Sequence, residues 1–308
     1  MPWLAPIRSP CDPWLLSAAR QLGAAKMVVA GADQRNTLEG VRAGIEAGLL
    51  DPVLIGARSK ISDLANELGW QLPDLEMVDA GTEPAIAEAL IDRVSQSDVM
   101  GVIKGQIHTD IFMAALLSKA AGLRTGQRFT HHFRMGLAGV KTPLFISDAA
   151  LNILPDISTK KIIIQNSIKL AKACGIARPQ VALLSATETP TAAMNSSVEA
   201  AQLTEWARDN IDDADVHGPL AFDNAVSAAS AALKGIVGPV AGCADTLIVP
   251  SIEVGNVLFK ALTYMLGANP AGIVLGARVP IILTSRSDDA EARLASMAMS
   301  RIMAASNI

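Results

Sequence analysis

Short apolar runs alternate along this chain with longer segments in which apolar residues recur every three or four positions. Residues 26–31 form the first run, and Leu38, Val41 and Ile45 follow it at helical spacing. A second apolar run, residues 51–57, comes directly afterwards. This order predicts a β-strand, an α-helix and a second β-strand, which together form one βαβ unit.

The helix of this unit has signals at both ends. Asn36 or Thr37 is its expected N-cap, because a short polar side chain at a helix start accepts hydrogen bonds from the first free N–H groups. Asp51-Pro52 ends it, since the residue before a proline avoids helical geometry. We therefore expect this helix within residues 36–50.

The same alternation continues to the end of the chain. Further strand candidates are residues 99–105, 143–147, 181–186, 246–250, 272–276 and 280–285. Helical spacing covers residues 159–174, 197–209, 224–233, 254–266 and 288–304. The strand candidates are unbroken and β-branched, as strands covered on both faces are. We therefore predict an α/β fold with mostly parallel sheets.

Composition and charge narrow the possible functions. The chain has 308 residues and a formal net charge of −4, without a basic stripe, so we expect no nucleic-acid partner. The chain has three cysteines that lie far apart: Cys11, Cys174 and Cys243. An odd, scattered set argues against a disulfide framework and against a zinc site. No apolar stretch approaches the roughly 18 residues of a membrane span, and the proline-rich start is unlike a signal peptide. These features predict a cytoplasmic protein with no membrane partner.

In folds of this kind ligands bind beyond the carboxyl ends of the strands, so polar residues directly after a strand are candidates. The segment VPIILTSRSDD, residues 279–289, ends a strand candidate with Ser285, Arg286, Asp288 and Asp289. The N–H groups of a helix start, a hydroxyl and a guanidinium together suit an anion. The two carboxylates either favour the helix dipole or accept a proton beside that anion.

Two earlier segments hold further candidates. Lys104, His108 and Thr109 lie in a predicted loop that enters a helix, where they either bind substrate or cap the helix and face solvent. Residues 122–136 are predicted to be a loop that gathers Arg124, Arg128, His131, His132 and Arg134. Such a cluster suits phosphate, or else is a solvated basic loop. The adjacent histidines have no matching third ligand, so we predict no metal site.

The last candidate residues lie at two predicted helix starts in the second half of the chain. Asp223 and Asn224 stand where a loop meets a helix, and Asp223 is either a substrate ligand or an N-cap. Asn256 and Lys260 are four residues apart, on one helical face, where Asn256 either holds a carbonyl or phosphate or merely shapes the turn. The chain has no Walker-type, GxGxxG, GxSxG or HExxH motif, so phosphate binding would depend on scattered side chains and helix ends.

Several of these segments together resemble one known family. In chain order, KGQIHTD, GLRTG, GPLAFDNAVS, VPSIEVGNVLFKAL and VPIILTSRSDD are similar to segments of the phosphate acetyltransferase/phosphate butyryltransferase family. The similarity runs from about residue 26 to the C-terminus and is greatest to the butyryltransferase-like branch. It also extends to the acyltransferase half of proteins that carry an enoyl-CoA hydratase-like domain.

The resemblance implies a reaction and an architecture. The family interconverts acyl-CoA plus phosphate and acyl phosphate plus CoA, here with an implied acetyl or butyryl group. It has no permanently bound cofactor, and its members are commonly homodimers or larger. The implied fold has two αβα domains with a cleft between them, like the isocitrate/isopropylmalate dehydrogenase group. On that basis residues 1–128 plus 278–308 form the first domain and residues 129–277 the second.

The resemblance also implies roles for individual residues. Ser285 and Arg286 match the family's Ser-Arg pair, which binds phosphate and the acyl carbonyl. Asn256 and Lys260 match its Gly-Asn…Lys helix, and Asp223 matches the Asp of its GPL loop.

The general base stays open among three carboxylates. Asp288 is the Asp of the butyryltransferase-type SRxD pattern and is preferred, with Asp289 and Glu291 as alternatives. Acetyltransferases carry a proposed base Asp six positions after the Arg, where this chain has Ala292. Two other functions also stay open: an NAD-dependent hydroxy-acid dehydrogenase on the related fold, and a non-catalytic relative that binds CoA or acyl phosphate.

Overall fold

The computed structural model describes residues 8–283 and 288–306. Residue contacts divide the chain into two compact units. Of the described residues, the split unit comprises Pro10–Gln127, 271–283 and 288–306. Of the described residues, the central unit comprises 8–9 and Arg128–Pro270. Both units combine β-strands with α-helices.

In the split unit, strands and helices alternate along the first chain segment. Its elements are α1 (Pro13–Gln21), β1 (Ala25–Ala30), α2 (Arg35–Glu46), β2 (Leu50–Gly56), α3 (Arg58–Glu67), β3 (Glu76–Asp79), α4 (Glu83–Val94), β4 (Gly101–Lys104) and α5 (Thr109–Leu117). The second segment starts within a strand that spans the boundary between the units, Asn269–Leu275, and continues with Ile281–Ile282 and Ala290–Ala305.

The central unit follows α5 in the chain. Its elements are β5 (Thr130–Gly136), β6 (Leu144–Ser147), α6 (Ile157–Ala173), β7 (Gln180–Leu184), α7 (Asn195–Asn210), β8 (Asp215–Leu220), α8 (Phe222–Val226), α9 (Ala228–Leu233), β9 (Thr246–Ile248) and α10 (Ile252–Met265). The strand Asn269–Leu275 is therefore β10, Ile281–Ile282 is β11, and Ala290–Ala305 is α11.

Parallel pairing organises the strands of the split unit. β1 is hydrogen-bonded to β2 on one side and to β4 on the other, and β3 lies beyond β2. β11 runs parallel to β4, with Ile282 opposite Ile103, and pairs antiparallel with β10. Nearly every residue of β1 and β2 is buried, which explains why these runs show no polar alternation.

The strands of the central unit are also mostly parallel. β6 pairs antiparallel with β5 and parallel with β9, and β7 is parallel to both β9 and β8. One core cluster joins Ile146 and Leu247 of the strands to Leu258 and Phe259 of α10. A second joins further strand residues to buried apolar side chains of α6 and α7. Because apolar helix faces cover β6, β7 and β9, these three strands are mostly apolar.

The predicted α/β class with mostly parallel strands is confirmed, and two local predictions are wrong. The N-cap of α2 is Gln34, so Asn36 and Thr37 lie inside the helix, and Thr37 is buried instead of capping. Residues 130–136 form strand β5 and not part of a loop, because the polar side chains of this strand are buried in the sheet.

Two helix boundaries also differ from those predicted. The sequence pattern predicted one helix over residues 224–233, but the structure has two short helices there, α8 and α9. They are separate because Ser227 caps α9 by accepting a hydrogen bond from the Ser230 N–H group. α11 starts at Ala290, after Asp288 and Asp289. Within the described residues, none of the helices combines the length and the apolar character needed to cross a membrane.

Candidate active site

Lys104 lies at the carboxyl edge of the strands in the split unit. It is the last residue of β4, and β4 is paired in parallel with β11. The side chain is half-buried, and its Nζ atom lies 3.4 Å from the carbonyl oxygen of Gly105. Parallel neighbours end at the same edge, so Lys104 lies beside the point where β11 ends.

Glycines bring the backbones after β1 and β4 into direct contact. Gly31 has a φ of +77°, and a Cβ atom there would lie 2.4 Å from the carbonyl oxygen of Gln106. A Cβ atom on Gly105 would lie 2.2 Å from the carbonyl oxygen of Gly31. Only glycine fits at both positions, so this contact fixes the path of the loop between Lys104 and α5.

His108 and Thr109 lie at the start of α5. His108 is the N-cap residue, but its side chain faces Glu83 instead of capping the helix, and Thr109 is exposed. The His108 N–H group donates to Glu83 Oε1 at 3.0 Å, and the imidazole Nδ1 lies 2.7 Å from the same oxygen. Glu83 thus orients His108, a role that no local sequence signal indicates.

Arg124 does not share a loop with the downstream histidines. It is exposed in the split unit, where it forms an isolated bridge with Ala277. Arg128 and the histidines belong to the central unit. The predicted cationic loop is therefore wrong, and Arg124 stays a candidate by itself.

The segment that carries Ser285 and Arg286 lies outside the described residues. The carboxylates after it are described and have different environments. Asp289 is the N-cap of α11 and accepts a hydrogen bond from the Ala292 N–H group at 2.9 Å. Glu291 Oε2 accepts from the Cys11 N–H group at 2.7 Å. Asp288, half-buried, precedes the cap.

These environments separate the three candidate bases. Capping by Asp289 and the backbone contact of Glu291 are structural uses of a carboxylate. Asp288 precedes the cap, and its main-chain oxygen accepts a hydrogen bond from Arg293 Nε at 3.2 Å. Asp289 and Glu291 thus have structural roles in the described residues, and Asp288, the Asp of the SRxD pattern, stays the preferred candidate for the base.

His131 and His132 are buried in strand β5. Burial lowers the pKa of His131 to about 4 and that of His132 to about 3, although the nearby Asp148 carboxylate acts in the opposite direction. His132 contacts Thr130 Oγ1 at 2.8 Å and Ser167 Oγ at 3.1 Å. His131 Nδ1 has no hydrogen-bond partner among the described residues. Both rings are therefore neutral at pH 7.

Because burial lowers the pKa of both histidines, we expect the protein to lose stability in acid. An unfolded histidine has a pKa of about 6.5 and binds a proton below that pH, whereas the buried rings stay neutral until the pH nears 4. The contribution of these two rings to the free energy of unfolding should therefore be fully present above about pH 6.5 and should fall as the pH drops from 6.5 to 4. Urea unfolding at a series of pH values measures the slope. We expect a smaller slope in His132→Gln, and an unchanged slope would contradict the assignment.

In the central unit, Asn256 and Lys260 both lie on α10, as predicted. Asn256 is half-buried, and its Nδ2 atom lies 3.4 Å from the carbonyl oxygen of Ala149. Lys260 is exposed, with Nζ 5.9 Å from the ring centre of Phe259. Asn256 is thus held against the backbone, while Lys260 reaches into solvent.

Asp223 and Asn224 lie on α8 and share a charged cluster with two residues that the sequence did not indicate. Lys234 Nζ lies 3.2 Å from an Asp223 carboxylate oxygen and 3.3 Å from Glu188 Oε1. These two carboxylates raise the pKa of Lys234. Asn224 is fully buried and donates from Nδ2 to Glu188 Oε1. Asp223 is half-exposed in the first turn of α8 and not at the N-cap, which is Ala221.

Comparison with known proteins places these residues in a family. Residues 91–301 match the family described as Phosphate acetyl/butaryl transferase. The chain belongs to this family. All candidate residues from Lys104 to Asp288 lie within the matched range, so the resemblance predicted from the short segments is confirmed for this family.

Individual relatives of this phosphate acetyl/butyryltransferase family cover nearly the whole chain. Phosphate acetyltransferase of Rhizobium meliloti is 43% identical over 292 residues, 94% of this chain and 92% of the relative. Phosphate butyryltransferase of Clostridium beijerinckii is 34% identical over 95% of this chain and 97% of the relative. The crystal structure of a branched-chain phosphotransacylase from Enterococcus faecalis V583 matches with a TM-score of 0.79 and 30% identity, covering 91% of this chain and 99% of that one.

Proposed function

We propose that the protein is a phosphate acyltransferase, which reversibly transfers a short-chain acyl group between CoA and inorganic phosphate. The observation that carries this proposal is the identity of 34–43%, over 94–95% of the chain, to proteins named phosphate butyryltransferase and phosphate acetyltransferase. A dehydrogenase is not favoured, because these relatives are acyltransferases.

We assign the central roles to the residues around the start of α11. Ser285 and Arg286 hold the phosphate group, and Arg286 stabilises the charge that develops on the acyl oxygen. Asn256 and Lys260 supply further donors to the reacting group. Asp288 is the general base, because it is the Asp of the SRxD pattern and lies half-buried directly before α11.

The remaining candidate residues fall into groups according to the solvent exposure of their side chains. Four side chains are exposed or half-buried and are proposed to contact CoA or phosphate: Lys104, Thr109, Arg124 and Asp223. His108 is exposed but oriented by Glu83. His131 and Asn224 are 1% and 0% exposed, so we assign them to the support of the site and not to substrate contact.

In the acyl-CoA-forming direction the reaction needs no covalent enzyme intermediate. Asp288 accepts the thiol proton of CoA, and the thiolate attacks the carbonyl carbon of the acyl phosphate. The new C–S bond forms as the C–O bond to phosphate breaks, and phosphate leaves with the electron pair. Arg286 neutralises the charge that collects on the acyl oxygen and the leaving phosphate.

The proposal is tested by phosphate-dependent release of the free CoA thiol from acetyl-, propionyl-, butyryl- and longer acyl-CoAs. Release that requires both phosphate and the purified protein supports the proposal, and the best substrate gives the acyl chain length. If CoA binds but no chain length gives thiol release, the protein is a non-catalytic relative and the proposal is wrong.

We further propose a cytoplasmic homodimer or larger assembly, without a permanently bound cofactor, in which residues 1–128 plus 278–308 and residues 129–277 are the two domains. The chain has three cysteines that lie far apart in the sequence, a pattern typical of proteins from a reducing compartment. Sedimentation velocity of the purified chain measures the assembly.

A further inference from the structure

The turn after β6 carries a buried carboxylate that the proposed reaction does not use. Asp148 follows directly on Ser147, the last residue of β6, and is 1% exposed. In residues 8–283 and 288–306, Asp148 forms no ion pair with a lysine or arginine. Burying a carboxylate without a cation costs free energy, so its position requires a physical reason.

Neutral N–H donors saturate this carboxylate. Oδ1 accepts from the N–H groups of Ala150 at 3.0 Å and Leu151 at 2.9 Å. Oδ2 accepts from the His131 N–H group at 2.9 Å and from Asn152 Nδ2 at 2.7 Å. The carboxylate therefore joins strand β5 to both ends of the turn formed by residues 148–152, and it holds the turn in one conformation.

The first turn of α10 rests on this turn. The Ile252 N–H group donates to the carbonyl oxygen of Ile153 at 2.9 Å. A Cβ atom on Gly255 would lie 2.9 Å from both Ala149 Cα and the carbonyl oxygen of Asp148, so the two backbones are in contact. Asn256 Nδ2 lies 3.4 Å from the carbonyl oxygen of Ala149. One of the two Nδ2 hydrogens is thus directed to the turn. The other has no acceptor in the described part of the chain and can donate to a ligand.

We propose that Asp148 is a positioning residue for acyl transfer: it fixes the turn of residues 148–152, and the Ala149 carbonyl of that turn orients the carboxamide of Asn256. The inference rests on the proposed function, in which Asn256 supplies a donor to the reacting group. Asp148 itself does not contact the substrate.

A double-mutant cycle tests the proposal. In Asp148→Asn, one amide oxygen still accepts from Ala150 and Leu151, but the new NH2 group faces the His131 N–H group and Asn152 Nδ2, which are donors. We expect kcat to fall by about 10- to 100-fold, as for a misplaced donor, with the KM for CoA within about twofold of the wild type. In an Asn256→Ala background, Asp148→Asn should lower kcat by less than about threefold. An equal fall in kcat in both backgrounds would overturn the proposal.

Two further variants complete the test. Val257→Ala, 68% exposed on the same helix, is the matched control and should keep the wild-type kcat. If Asp148→Asn does not fold, Gly255→Ala replaces it, because its Cβ must displace either the turn or the helix. In its crystal structure we expect residues 148–152 in place and the first turn of α10 displaced. A displaced turn beneath an unmoved helix would refute the inference.

The test also separates this inference from the proposed function. A wild-type protein without phosphate-dependent CoA release would refute the function alone. The crystal structures then decide the positioning role: a displaced Asn256 carboxamide in Asp148→Asn or Gly255→Ala supports it, and an unmoved carboxamide in these variants refutes it.

Discussion

Replacing Arg286 with alanine lowers kcat/KM for phosphate-dependent CoA release by about 100- to 1,000-fold, the usual cost of removing one donor to developing charge. A guanidinium binds phosphate with two parallel N–H···O bonds, and alanine removes both bonds and the charge. During transfer, negative charge is present on the acyl oxygen and on the phosphate group. The loss should therefore be larger in kcat than in substrate binding. Initial rates with the best acyl-CoA, at varied phosphate, measure both.

Two matched variants separate this effect from a general loss of charge. Arg286→Lys keeps the charge but not the bidentate geometry, so it should recover only part of the lost rate. Arg42→Ala removes an arginine that is paired with Glu46 on the surface of α2, and its rate should stay within about twofold of the wild type, as expected for an exposed ion pair. Near-normal turnover in Arg286→Ala, with a folded protein, would contradict the site assignment.

The sequence was most informative where burial is uniform. β1, β2, β7 and β10 were predicted because their apolar residues run without interruption, and burial on both faces produces that pattern. The helices α6, α7 and α10 were predicted within two residues at each end from their apolar spacing.

β5 was missed for the opposite reason. Its residues THHFRMG include two histidines and an arginine, which a sequence pattern assigns to a solvated loop. In the structure these side chains are buried, and His132 has partners in Thr130 and Ser167. Buried polar groups are stable when their hydrogen bonds are made, but the Ser167 partner lies 35 positions along the chain. Sequence spacing alone cannot show such a pairing.

The candidate site shows the same limit. The candidate residues were selected because they follow predicted strand ends, where the α/β rule places ligands. Their partners were not found: Glu83 beside His108, Glu188 beside Asn224, and Asp148 beneath Asn256. Each partner comes from another element, so only the folded chain brings it within reach.

Replacing Asp288 with asparagine should lower kcat in the acyl-CoA-forming direction by about 100- to 10,000-fold, the range for a general base. The amide cannot accept the thiol proton, so the reaction then depends on the small fraction of CoA already present as thiolate. That fraction grows as the pH rises. The variant should therefore lose the acid limb of the pH–rate profile that a titrating base gives, and its rate should recover toward high pH.

Asp289→Asn and Glu291→Gln are the controls that decide among the three carboxylates. Asparagine caps a helix as well as aspartate does, so Asp289→Asn should preserve the start of α11. Glutamine can still accept the hydrogen bond from the Cys11 N–H group. With Asp288 as the base, both variants keep the acid limb and most of the rate, and only Asp288→Asn loses them. If Asp289→Asn or Glu291→Gln loses the acid limb instead, that residue is the base, and the role of Asp288 is wrong.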